Sequence, residues 1–290
     1  MPAWAVQQAK GPAYTPPAPA RVWVLLASEA STAVIFRRGP SRWTRLYLWD
    51  TRTDTFTPGS WFAGRLYELL SDLSPDGQHL VYVARNESKR RQERARLELG
   101  VKHFYSWTAV CTPPRVKALG LWNASGNLVA GGIFADNTKL WLNHDWRLGE
   151  METLRTPPGL NVAFNPKGSQ AIWIEAMKRT GWRVTQIPEA GGWANFKPPL
   201  ILRKKALELH VLGRWMLPSG FLRQYVWCGP RPVPGLEGAS WADFDQQGRL
   251  VYAREGRLYA VTSDGARELV NLNDDQPPGR PPEVALVETR

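Results

Sequence analysis

Residues 70–85 read LSDLSPDGQHLVYVAR: a short apolar run, an S-P-D-G turn, then apolar and polar positions in alternation. Alternation with a period of two is the mark of a half-buried strand, and the turn residues bound it on one side. The same design returns along the chain. It stands in SPDGQHLVYVA with Gly77, NASGNLVAGGIFA with Gly126, NPKGSQAIWIEA with Gly168 and DQQGRLVYARE with Gly248. The first intervals are in the forties and the last is about twice as long, which leaves room for a degenerate copy around GRWMLPSGFLRQYVWCG.

Further strands surround each copy. An aromatic-centred strand follows in RLYLWD (45–50), KLWLN (139–143), WRVTQI (182–187) and RLYAVT (257–262). An outer strand comes next in TDTFTPG, GEMETLR and ARELVNL. An apolar strand precedes each turn in LYELLSDLS, VKALGLWNA, LNVAFNP and ASWADFDQ. Four strands per unit of this length predict an all-β chain, a single β-propeller of four-stranded blades. Six blades fit, at 21–62, 63–114, 115–157, 158–200, 201–238 and 239–275; five or seven stay open because the fifth is poorly marked. The first strand, RVWVLLAS, is expected to help close the ring against the last blade.

Composition agrees with this architecture. Fifteen Trp suit the widening gaps between radial sheets, and 25 Gly with 24 Pro suit many turns rather than a helical bundle. Residues 1–20 and 276–290 are Pro-rich and are expected to be a flexible arm and a tail around a propeller at 21–275. The N-terminal residues show no basic segment followed by an apolar one, and no apolar run is long enough to span a membrane. The expected address is therefore cytoplasmic. Two Cys in 290 residues are no disulfide framework.

The turn Ser74-Pro75-Asp76-Gly77 with its flanking strands resembles the PD40, or TolB-type, WD40-like repeat. That resemblance implies a β-propeller used as a binding scaffold, and it carries no substrate. The chain departs from the periplasmic TolB pattern in lacking an export signal. The ending WADFDQQGRLVYAREGRLYAV…LVNLNDDQPP resembles that of a group of bacterial proteins, which implies no activity.

Catalytic and cofactor motifs are missing. His79, His103, His144 and His210 fall in no metal-ligand spacing, and there is no G-x-S-x-G elbow, P-loop or dinucleotide fingerprint. His144 and Asp145 are adjacent, so on a strand they face opposite ways. Paired glycines at 131–132 and 191–192 lack the context of a phosphate loop. Asp72, Asp243 and Asp245 fall near inner-strand ends and read first as structural. No cofactor is expected.

The net charge of +11 admits either an anionic partner or a plain solvated surface. The densest charge is RNESKRRQERARLELGVK, 85–102, expected as a short helical insertion near 86–100. Arg90, Arg91, Arg94 and Arg96 there are candidates for gripping phosphate or an acidic partner; internal pairing with Glu93 and Glu98 is the simpler reading. Arg203, Lys204 and Lys205 form a second basic stretch, which also reads as a charge-protected strand edge. Trp43 beside Arg42 and Arg45, Trp182 beside Arg183 and Trp215 beside Arg214 are candidates for stacking bases. The first functional expectation is a non-catalytic scaffold for protein partners. The second is nucleic-acid binding through the Arg-rich insertion, and the third is a small ligand or hydrolysis at the central channel. No membrane partner is expected.

Overall fold

The computed structural model describes residues 18–39, 42–125, 130–143, 152–164, 172–187, 199–212 and 222–278. The predicted turns at Gly126 and at Asn165–Gly168, His144 with Asp145, the Gly pair at 191–192, Trp215, and most of both terminal segments lie outside these residues.

The chain is all-β. Strands β1 (Arg21–Leu26), β2 (Thr32–Arg38), β3 (Trp43–Asp50) and β4 (Thr55–Ala63) form an antiparallel first sheet in chain order. Strands β5 (Arg65–Leu73), β6 (Leu80–Arg85), β7 (Ser106–Cys111) and β8 (Gly120–Asn123) form the second. Helix α1 (Lys89–Leu99) stands between β6 and β7, as the insertion predicted. β9 (Gly132–Phe134) and β10 (Lys139–Leu142) start a third sheet. β11 (Thr153–Arg155) turns back to pair with β8, and β12 (Asn161–Phe164) joins β10 in parallel. After helix α2 (Ile172–Arg179) come β13 (Arg183–Gln186), β14 (Leu200–Lys204), β15 (Leu207–Leu212) and β16 (Leu222–Trp227) as a fourth sheet. The last is β17 (Trp241–Phe244), β18 (Leu250–Arg254), β19 (Arg257–Thr262) and β20 (Gly265–Asn271).

The first strands of neighbouring sheets gather at the centre: β1 packs against β5 and β17, and β5 against β9. This is the radial arrangement of a propeller. Its core lies between the sheets. Trp49, Trp122 and Trp182 are fully buried there, and Trp23, Trp107 and Trp241 nearly so. An aromatic that fills a wedge-shaped gap removes a large apolar area from water, and this accounts for the Trp-rich composition.

The repeat unit is visible in its hydrogen bonds. In the Ser74 turn, the Gly77 N–H donates to the Ser74 carbonyl at 2.8 Å. In the Asp245 turn, the Gly248 N–H donates to the Asp245 carbonyl at 2.8 Å. Both glycines have positive φ, +76° and +78°, a region costly for residues with a Cβ.

Two expectations are refined. The described residues form five sheets, a count that had stayed open beside six, because among them segments 115–157 and 158–200 do not each close a sheet. β8 stays bonded to β7 and takes β11 as its other neighbour, β13 joins the fourth sheet, and β9, β10 and β12 make one three-stranded sheet. Second, the apolar run expected as a strand in NPKGSQAIWIEA is the helix α2. A short apolar run does not separate strand from helix by periodicity, and Glu, Ala, Met and Lys favour the helix. β1 helps to close the ring against the last sheet: it is hydrogen-bonded to β2 and packs against β17 and β18. The ring closes through side chains. Ser240 Oγ donates to the Val22 carbonyl at 2.8 Å and Gln246 to that of Ala27 at 2.8 Å. Arg249 holds Asp54 at 2.8 and 2.9 Å. Asp275 accepts from both Arg45 and Tyr47, while Arg37 donates to the Leu272 carbonyl at 3.0 Å.

Candidate functional site

Two of the four arginines of helix α1 are paired within the helix. Arg94 pairs with Glu98 at 2.7 Å across one turn, and Arg96 with Glu93 at 2.7 Å. Arg91 lies half-buried, its guanidinium 4.2 Å from the centre of the Trp107 ring. Burial lowers its proton affinity, and the contact with Trp107 pins the helix to the second sheet. Arg90 is exposed. Of the four residues named from the sequence, Arg94 and Arg96 are thus ion-paired, Arg91 is packed on Trp107 and Arg90 is exposed.

The second basic stretch separates in the same way. Arg203 is exposed near Glu208, and Lys205 stands over the Phe244 ring at 4.3 Å. Lys204 corrects the expectation of an outward-facing binding residue. Its ammonium turns inward to Asp243 at 2.6 Å, with both side chains nearly buried.

The central channel is occupied by the protein itself. Helix α2 places Trp173, Ala176, Met177 and Arg179 against β1, β5 and β17, leaving a cavity of about 60 Å³. Arg179 makes a two-pronged contact with the buried Asp72 at 2.6 and 3.0 Å, and Asp72 also accepts from the Phe134 N–H at 2.8 Å. Asp243 is held by Lys204 and by the Trp182 Nε1–H at 3.0 Å. Burial raises the proton affinity of both carboxyls, and their cationic partners oppose it. Asp245 bonds the N–H groups of its own turn and Arg249. All three acids are thus engaged in holding the structure. The cavity has room for about four waters by the volume one water needs, far below a drug-sized ligand site.

A different place gathers unpaired charge. β1 begins at Arg21 and β2 ends at Arg38, and these two face each other in the hairpin register. β5 begins at Arg65 and β6 ends at Arg85, which also face each other. Because β1 and β5 are neighbouring inner strands, both Arg–Arg pairs stand at the same end of adjacent sheets. Gly64 makes the crossing between the sheets. Its φ is +151°, and a Cβ there would lie 2.6 Å from the Arg85 carbonyl oxygen. Its N–H donates to the Arg42 carbonyl at 2.8 Å. The result is an open cleft of about 1370 Å³ lined by Arg21, Arg38, Arg42, Arg65 and Arg85, with Trp43 and Tyr67 among them.

Like charges directly opposite across a strand pair are destabilising. Arg85 is offset by Glu87, with Nε–Oε1 at 2.7 Å. Arg21, Arg38, Arg42 and Arg65 have no ion-pair partner among the described residues. Burial first, then the fields of Arg65 and Arg21, lower the proton affinity of Arg38, while Glu68 opposes them. The Arg65 guanidinium lies 4.6 Å from the Tyr67 ring centre. By contrast, Arg37 and Arg45, also opposite each other, share Asp275. A concave surface with repeated unpaired guanidinium groups attracts anions, and guanidinium matches phosphate in geometry. The described lining also includes Glu87 and Ser88.

The sequence reading pointed to Arg42 and Trp43 but passed over Arg21, Arg38, Arg65 and Arg85. They are scattered singly along the chain. The available signal was partial: Arg21 begins the predicted strand RVWVLLAS and Arg85 ends the alternating strand of residues 70–85.

No protein-family model matches the chain, and no curated protein matches it. Among solved structures it is similar to an acylaminoacyl peptidase of Pyrococcus horikoshii, at 10% identity and a TM-score of 0.36, over 87% of this chain and 45% of that one. It is also similar to a chain from a structural and mechanistic analysis of two prolyl endopeptidases. That match has 11% identity and a TM-score of 0.28, over 86% of this chain and 42% of that one. The chain thus spans less than half the length of either.

Proposed function

We propose that this protein is a non-catalytic binding propeller that holds a nucleic-acid backbone in its arginine cleft. The observation that carries the reading is the pair of cross-strand Arg–Arg registers, Arg21 with Arg38 and Arg65 with Arg85, brought side by side with Arg42, with Glu87 pairing Arg85 alone. Cross-strand repulsion costs stability, so a ligand that supplies negative charge would relieve it. The openness of the cleft suits a chain that passes through it. Trp43 and Tyr67 offer ring faces next to the guanidinium groups, the combination used by grooves for single strands.

The test is the salt dependence of binding to a fluorescent single-stranded oligonucleotide, followed by anisotropy. With four or five phosphate contacts, the slope of log K against log salt is expected at about −3, given about −0.7 per contact. Arg42→Gln should reduce affinity and flatten the slope by roughly one contact. Absence of binding at low salt, or undiminished binding by an Arg21/Arg42/Arg65/Arg85→Gln variant, would sink the proposal.

A second reading, a scaffold for a protein partner, is favoured by α1. Leu97 and Leu99 on this helix are 71% and 39% exposed. This reading expects a stoichiometric protein that stays bound after nuclease treatment and is lost in a Leu97→Glu variant.

A further inference from the structure

From the inner end of the cleft, we infer a discrete pocket for a phosphomonoester, which would let the protein recognise the phosphorylated end of a nucleic-acid strand. The inference rests on the nucleic-acid reading above.

Arg21 and Arg38 line both the open cleft and a smaller recess between β1, β5 and β16. Trp23, Thr44, Glu68 and Arg223 complete the recess, whose volume is about 60 Å³. That is space for roughly two to four waters, the scale of one small anionic group. Its walls are set firmly. The Arg223 guanidinium lies 4.3 Å from the centre of the Trp23 ring, a stacking contact that fixes its plane. Its distance to Glu68 is 3.7 Å, too long for a hydrogen bond.

The second observation is a set of buried donors with nothing to donate to. Trp23 is only 8% exposed, yet its Nε1–H has no acceptor. Nη1 of Arg223 is also buried without a partner. Buried donors in folded proteins are almost always satisfied, so two on residues that line one recess call for an acceptor. The charge balance says which kind. Three arginines against one glutamate line the recess, which suits a dianion. A phosphomonoester carries about −1.5 to −2 at neutral pH, whereas each internal phosphodiester carries a single charge. The recess is small enough for one group, while the cleft beyond it has room for the chain that follows.

The experiment uses the full chain and an internally labelled deoxythymidine decamer in three forms: 5′-phosphate, 3′-phosphate and hydroxyl at both ends. At pH 7.5 one phosphorylated form is expected to bind at least tenfold tighter than the hydroxyl form. That advantage should shrink at pH 5.5, where the second ionisation, near pH 6, is suppressed. Arg223→Gln should abolish the advantage while leaving the hydroxyl form unchanged. Glu68→Gln should enlarge it several-fold, a gain that a misfolded variant would not show. Equal affinity for all three forms would overturn the end-recognition proposal yet leave salt-dependent strand binding intact. Failure of all three to bind would remove both readings. A phosphoserine peptide competing as well as the phosphorylated decamer would replace the nucleic-acid end by a phosphoprotein.

Discussion

Lys204 and Lys205 are sequence neighbours with opposite roles. Lys204 ends β14 and buries its ammonium against Asp243, whereas Lys205 turns through a left-handed conformation, φ +53°, and rests on Phe244. Removing one partner of a buried ion pair strands the other charge and costs about 3–5 kcal/mol. Lys204→Ala should therefore lower the urea midpoint strongly without a change in slope. Lys205→Ala, losing a cation–ring contact, should cost about 1 kcal/mol or less. The same logic divides α1. Arg94 and Arg96 are already paired with Glu98 and Glu93. The double variant Arg94→Gln/Arg96→Gln is expected to leave oligonucleotide affinity within about twofold of the parent by anisotropy, while Arg42→Gln does not.

Among the elements, the turn–strand repeat and the helix α2 show two kinds of constraint. The turns are local. Gly77 and Gly248 adopt nearly the same φ, but a Cβ at Gly77 would meet Thr32 at 3.0 Å, while at Gly248 the nearest atom is the flexible Lys205 Nζ at 3.7 Å. A non-glycine residue in this region costs about 1–2 kcal/mol from backbone alone. Both Gly→Ala variants should be destabilised, Gly77→Ala more so, because it adds a contact that the first sheet must yield to; paired denaturation curves read the difference. Helix α2 is set by its surroundings. Arg179 reaches Asp72 and the carbonyls of Leu73 and Phe134, at 2.9 and 2.6 Å. These contacts tie the helix to the second and third sheets at the channel mouth.

For the molecule as a whole, closure of the ring is an electrostatic seam between the first and last sheets. Asp54 accepts from Arg249, Arg267 and Trp49. The Arg249 hydrogen bond foremost holds its carboxyl below the usual range. A carboxyl with a depressed folded pKa stabilises the fold above its unfolded value, near 4, and loses that contribution as pH falls through the folded value. Asp54→Asn should therefore be less stable than the parent at pH 7, with the gap narrowing below about pH 4 in thermal unfolding followed by circular dichroism. A gap that stayed constant with pH would show that the seam does not depend on this charge. No helix among the described residues is long and apolar enough to cross a membrane.

The sequence by itself determined the features that depend on near neighbours. Alternation marked most strands, Gly and Asp marked the turns, and the Glu/Arg spacing marked α1, because each is decided within a few residues by backbone sterics and local hydrogen bonds. Only the tertiary structure decided the rest. It put α2 into the channel where a strand was expected, since a short apolar run takes the form its neighbours can pack. It gave five sheets among the described residues, because which strand β8 and β11 join is a matter of pairing across the chain. It also moved the candidate site. Of the conspicuous arginines of α1, Arg94 and Arg96 are paired within the helix, while Arg21, Arg38, Arg65 and Arg85 were inconspicuous until hairpin register and the meeting of β1 with β5 set them together. Charge density along a chain is local, whereas charge density in a cleft is a sum over distant strands, and folding alone performs that sum.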